Sequence, residues 1–133
     1  MSGKTRPPAE LAVVTCAKQL CAYVVGATQK SPKAFRFTFV TRMQNLALDV
    51  VEQLFRANEV FVAYGDAAAL ETRHGYQHEA SVSLQMLVYV AEMAQAQGAI
   101  TMRQYEQVSN QALNVGNLIG GWMNSDKKRF SPG

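Results

Sequence analysis

The sequence predicts an all-α protein, an antiparallel up-down-up-down four-helix bundle, on three observations. Apolar residues recur at intervals of three and four along most of the chain, which is the period of a buried helix face. Glycine, proline and polar turn residues break that pattern at only a few points, leaving short connections that make successive helices antiparallel neighbours. No stretch alternates as a strand does, except the brief Phe35-Arg36-Phe37-Thr38-Phe39.

The first helix is expected over about residues 9–27. Pro7 and Pro8 suit a first helical turn, and Glu10 suits the positive end of the helix dipole. Leu11, Val14, Ala17, Cys21 and Val24 then follow at helical spacing. Gly26 weakens the helix near its end, and residues 28–33 form a turn punctuated by Pro32.

The second helix is expected over about residues 37–63, with Phe35 to Phe39 as its extended approach or its first turn. One apolar stripe is Met43, Leu46, Val50, Leu54, Ala57 and Phe61. A second is Leu48, Val51, Phe55 and Val62. Residues 64–75 read as a connection, in which Gly65 ends the helix and Asp66 caps a short turn through Ala67, Ala68 and Ala69.

The third helix is expected over about residues 76–97, stopped by Gly98. Ala80, Leu84, Leu87, Ala91 and Ala94 form its inward stripe. Val82, Met86, Tyr89 and Met93 form a second, separated from the first by Ser81, Gln85 and Glu92. One bundle core covers one stripe, so the second calls for another subunit or for loops laid over it; we read it as a subunit interface.

The fourth helix is expected over about residues 101–124, opening with a capping box in which Gln104 stands three residues after Thr101. Tyr105, Val108, Ala112, Val115, Ile119 and Trp122 form a heptad seam suited to bundle packing. Asn110, Asn114 and Asn117 lie on the opposite face. Gly116 and Gly120, one turn apart, read as a point of close helix approach. Residues 125–133 read as a mobile basic tail.

All of this fits one domain, residues 1–133. Hydrophobic residues make up 48% of the chain and charged residues 17%, enough apolar material for a core and far from a disordered composition. No apolar run is long enough to span a bilayer, and the first eight residues lack the apolar stretch of a signal peptide, so a cytoplasmic location is expected.

Catalytic chemistry finds little support. Cys16 and Cys21 share one helix on different faces and read as reduced thiols, buried in the bundle. A bundle di-metal site needs two Glu-x-x-His motifs. The chain has one such spacing, Glu71-Thr72-Arg73-His74, in the expected loop. His74 and His78 stand four apart without a Cys-x-x-Cys or His-Glu-x-x-His motif. No nucleophile elbow surrounds Ser81, Ser83 or Ser109, and Gly120-Gly121 does not precede a helix N-terminus where it could hold phosphate. The chain therefore reads as non-enzymatic, with no cofactor and no metal.

The net charge is +3. In an up-down-up-down bundle the termini and the second connection share one end. Lys4, Arg6, Arg73, Lys127, Lys128 and Arg129 gather there, offset by Glu10, Asp66, Glu71 and Asp126. The other end collects Lys30, Lys33 and Arg36, with Arg103 nearby and Glu106 opposing. A ring of identical subunits would multiply either patch into a basic rim suited to a polyanion; the alternative is a solvated surface that keeps the protein soluble.

Three stretches carry a family resemblance over roughly residues 18–122. They are Ser-Pro-Lys-Ala-Phe-Arg-Phe at 31–37, Leu-Phe-Arg-Ala-Asn at 54–58 and Val-Gly-Asn-Leu-Ile-Gly-Gly-Trp at 115–122. In these the chain resembles the four-helix bundle family of ribosomal RNA intervening-sequence proteins and accessory variability proteins of diversity-generating retroelements. The resemblance implies a pentameric ring, no enzymatic activity and, for the retroelement members, binding to nucleic acid and to a reverse transcriptase. Those members carry arginines in the third helix, whereas residues 84–93 here contain Glu92 and no basic residue.

The expected function is a non-enzymatic, oligomeric nucleic-acid-binding accessory protein that assists a reverse transcriptase. Its phosphate contacts would be Lys30, Lys33, Arg36 and Arg103, helped by Lys127 and Lys128, and its subunit interface Val82, Met86, Tyr89 and Met93. The alternative is a structural homo-oligomer that serves as a protein-binding scaffold without nucleic-acid affinity. DNA or RNA and a reverse transcriptase are the expected partners, with no membrane.

Overall fold

The computed structural model describes residues 8–132, with side chains from residue 12 onward. Lys4, Arg6 and Pro7 lie outside the described residues, as do the side chains of Glu10 and Leu11. The protein is an all-α four-helix bundle, with α1 at Pro8–Thr28, α2 at Thr41–Glu59, α3 at Ala67–Ala96 and α4 at Met102–Phe130. A 3-10 turn, Lys33–Phe35, and a π-helical turn, Arg36–Val40, lead into α2. Packing runs round the bundle, α1 on α2, α2 on α3, α3 on α4 and α4 back on α1.

The seams expected in the third and fourth helices face inward. Ala80, Leu84, Leu87, Ala91 and Ala94 of α3 are buried, and so are Val108, Ala112, Val115, Ile119 and Trp122 of α4. In α1 the buried row is Val13, Ala17, Leu20, Cys21 and Val24, with Val14 half-buried at its edge. In α2 the first stripe is buried from Met43 to Ala57, but Phe61 is exposed and Val62 is buried. The helix ends at Glu59 with Val60 in an extended conformation, so helical spacing no longer decides which side chain points inward.

The helix ends are closed by local chemistry. The Thr101 hydroxyl accepts from the Gln104 backbone N–H at 3.0 Å, and the Gln104 side chain accepts from the Thr101 N–H at 2.9 Å, which completes the capping box. Gln104 also donates to the carbonyl of Ala27 at 3.3 Å, tying the start of α4 to the end of α1. After α3, Gly98 adopts φ of 85°, and its N–H and that of Ala99 return to the carbonyls of Gln95 and Ala94. That is a left-handed closure that glycine makes without steric cost.

The boundaries differ from the sequence reading at several points, and α2 spans Thr41–Glu59 where residues 37–63 were expected. Of the two readings of Phe35 to Phe39, the extended approach is excluded; the segment lies in the helical 3-10 and π turns that lead into α2, with the Phe35 and Phe39 rings 5.8 Å apart. The third helix begins at Ala67, not near residue 76. Asp66 accepts from the Ala69 N–H at 3.1 Å and caps the whole of α3, where a short extra turn was expected. The fourth helix continues through Phe130, so residues 125–130 are helical and not a tail.

The last two corrections share a cause, a buried polar layer at one end of the core. Asp126 follows Trp122 by four residues and continues the α4 seam inward, fully buried. Its carboxylate accepts from Arg73 at 2.9 Å and from the Gln77 amide at 3.2 Å. Arg73 also donates to the carbonyl of Val60 at 2.7 Å, and its guanidinium lies 5.9 Å from the Trp122 ring and 5.6 Å from the Phe130 ring. The Gly65 N–H donates to the Phe130 carbonyl at 2.7 Å. These bonds hold the first turns of α3 and the last turns of α4 together, where the sequence shows no apolar period.

Candidate nucleic-acid interface

The antiparallel arrangement sends the 29–40 and 97–101 connections to one end of the bundle and the 60–66 connection to the other, together with the end of α4. Lys30, Lys33 and Arg36 are exposed on the first connection, and Arg103 is exposed on the opening turn of α4. The bond from Gln104 to Ala27 brings these two segments side by side. Arg42, exposed on the first turn of α2, joins them. Sequence reasoning passed over Arg42 because it placed that residue well inside the second helix. Glu92 and Glu106, both exposed, lie about one turn in from this end.

Lys127 and Lys128 do not share that surface. They sit on the last turn of α4, a helix of 29 residues, so Arg103 and Lys127 are separated by about 36 Å along its axis. Around them are Arg129, which lies 4.7 Å from the Phe130 ring, and the exposed acids Glu59 and Glu71. Arg73, expected on this surface, is instead 6% exposed and held by Asp126, so neither residue adds to the surface charge. The six bases expected to contact nucleic acid thus fall into two separate groups, Lys30, Lys33, Arg36 and Arg103 at one end, joined there by Arg42, and Lys127 and Lys128 at the other, joined by Arg129.

The second stripe of α3 faces outward. Val82, Tyr89 and Met93 are 44%, 56% and 37% exposed, and Met86 is half-buried against the core. Leu48 and Phe55 of α2 and Leu113 of α4 are also exposed. The glycines of α4 need a correction. A Cβ added at Gly116, Gly120 or Gly121 would meet nothing within 4 Å, so these glycines do not let two helices of one subunit approach closely.

The remaining reactive side chains are dispersed. Burial pushes the Cys21 thiol up from its ordinary pKa, which keeps it protonated, while Cys16 is half-buried and accepts from the Asn114 amide at 3.6 Å. Glu71 and His74 belong to the first turns of α3 and not to a loop, His78 is exposed one turn further on, and both cysteines are on α1. Among the described residues no group of three or more His, Cys, Asp or Glu side chains could hold a metal ion. No helix among them is long and apolar enough to cross a membrane.

A comparison with family models finds a match over residues 11–126, most of the chain, to the model described as bAvd-like. No curated protein matches the chain.

Proposed function

The chain belongs to the bAvd-like family, the accessory variability proteins of diversity-generating retroelements, and from that premise we propose a non-enzymatic accessory protein that binds nucleic acid in support of a reverse transcriptase. The observation that carries the binding role is the group of five exposed bases, Lys30, Lys33, Arg36, Arg42 and Arg103, at one end of the bundle. Cations on a rigid end surface hold phosphates by charge, and the counterions released make such binding fall steeply with salt. Lys127, Lys128 and Arg129 offer a second, smaller contact at the far end.

The same reading makes the protein a homo-oligomer, a pentameric ring as the resemblance implies. The exposed row Val82, Tyr89 and Met93, with Met86 beneath it, is the proposed subunit interface, since apolar side chains in a row on one helix gain most by leaving water. In a ring each subunit's basic end repeats around one axis, and several weak phosphate contacts become one strong one.

Fluorescence anisotropy against labelled duplex DNA and structured RNA, at low and physiological salt, tests the binding role. Micromolar or tighter binding with a steep salt dependence is expected, followed by capture of the reverse transcriptase. Absence of binding at low salt removes the nucleic-acid role and leaves the alternative, an oligomeric scaffold whose outward α3 face holds another protein. Light scattering tests the ring, and a monomer would remove the assembly from both readings.

A further inference from the structure

The basic end contains a cleft. Where α1 gives way to the 3-10 and π turns, a hollow of about 280 Å3 opens between the connection and the start of α2. Its polar lining includes Gln29, Ser31, Lys33, Arg36, Thr41 and Gln44, and no carboxylate. The volume is roughly that of nine waters at ~30 Å3 each, room for a phosphate and part of its sugar.

The local backbone assembles this lining. In the π-helical turn the Thr41 N–H bonds to the Arg36 carbonyl, five residues back. That wide turn sets Thr41 one turn above Arg36. Arg36, Val40 and Thr41 line one hollow together. Gln44 follows on the next turn and donates to the Thr28 hydroxyl at 3.0 Å, while Thr28 in turn donates to the Val24 carbonyl at 2.7 Å. Gln44 and Thr28 thus satisfy each other and fix one wall.

The donors left over all suit an anion. Lys33 and Arg36 form no ion pair with a described residue. The Ser31 hydroxyl is shielded from solvent and has no hydrogen-bond partner in the protein, an arrangement that costs free energy unless something in the hollow supplies one. A polar hollow with two unpaired cations, spare hydroxyls and no acid favours a group with negative charge and several acceptor oxygens.

We propose that this cleft is a phosphate seat, which holds one phosphate of a nucleic-acid strand between Lys33 and Arg36 with Ser31, Gln29 and Thr41 as neutral donors. The proposal rests on the nucleic-acid reading above and adds that one built cleft, rather than the general charge of this end, makes the central contact. A chain end or an unpaired strand reaches into such a hollow more readily than the backbone of a rigid duplex.

The test uses the full chain and separates the two readings. Inorganic phosphate and pyrophosphate are titrated into 15N-labelled protein and followed by NMR, and a labelled single strand is titrated by anisotropy against the wild type and the Ser31→Ala/Thr41→Val variant. This variant leaves the charge unchanged, and loss of an unpartnered Ser31 hydroxyl does not weaken the fold. Shifts confined to the amides of residues 29–36, the Gln29 and Gln44 side chains and Thr41 are expected. Strand affinity should drop roughly tenfold, as for loss of a charge-assisted hydrogen bond. A strand that binds the variant and the wild type alike, with no shifts from phosphate, overturns the cleft and leaves the basic end as a diffuse contact. Phosphate shifts in the cleft without strand binding overturn the nucleic-acid source and leave a site for a small phosphorylated ligand.

Discussion

The two ends of this bundle treat positive charge in opposite ways. At the end with the 60–66 connection, Arg73 is drawn into the core, where it donates to Asp126 and to the Val60 carbonyl, Gln77 donates to the same Asp126 carboxylate, and the Trp122 and Phe130 rings lie close by. At the other end, Lys30, Lys33, Arg36, Arg42 and Arg103 stay exposed, without a carboxylate bonded to any of them among the described residues. A cation that is buried and paired contributes to the fold and has nothing left to offer a ligand. An exposed cation contributes little to the fold, and its charge is available to a partner.

The largest expected effect breaks the buried layer. Asp126→Ala leaves Arg73 buried without its counter-charge and should cost about 3–5 kcal/mol in urea unfolding. Arg73→Met combined with Asp126→Leu should recover most of that loss, because an apolar pair of similar volume avoids desolvating two charges. Equal losses in the single and double variants would show that packing, and not the charge pair, holds this end.

The opposite end should respond in the opposite sense. Lys33→Glu with Arg36→Glu should abolish nucleic-acid binding in anisotropy while changing unfolding stability by only about 0.5 kcal/mol, as exposed substitutions do. Unchanged binding would take these two residues out of the interface. Replacing Lys127 and Lys128 with Glu should have the smaller effect on binding, and a larger effect there would exchange the roles of the two ends.

Between the ends, the outward glycines of α4 report on what covers it. With open space at each Cβ, Gly116→Ala and Gly120→Ala should each stabilise the isolated subunit by about 0.5–1 kcal/mol through helix propensity. A loss of stability or of assembly on light scattering would mean that another subunit approaches closely at this face. At the basic end, Thr101→Ala removes the α4 cap. It should cost about 1 kcal/mol in thermal unfolding and leave the buried pair intact.

Where a repeating apolar period exists, the sequence is explicit. The seams of α3 and α4, the Thr101–Gln104 box and the stop at Gly98 all lie where their spacing puts them. Reading failed where a buried position carries a polar residue. Arg73, Gln77 and Asp126 hold seam positions on α3 and α4, yet each looks like a solvated side chain until its partner across the bundle is known. For that reason the start of α3 read as a loop and the end of α4 as a tail. Of the candidate interface, Lys30, Lys33, Arg36 and Arg103 were legible because short connections fix which loops share an end. Arg42 was not, because the expected helix began at residue 37 and placed it inside, where α2 begins at Thr41, and the cleft was not, because it is lined across a π turn that helical periodicity does not show.

The sequence by itself therefore determined the helical class, the order of the helices and the end of the bundle to which Lys30, Lys33, Arg36, Arg103, Lys127 and Lys128 go. Those properties follow from local periodicity, capping and connection length, which act over a few residues. Only the tertiary structure decided which charges are spent inside the protein and which remain for a partner. Arg73 and Asp126 are 53 residues apart in the chain, and only the packing of α3 on α4 brings their charges within 2.9 Å.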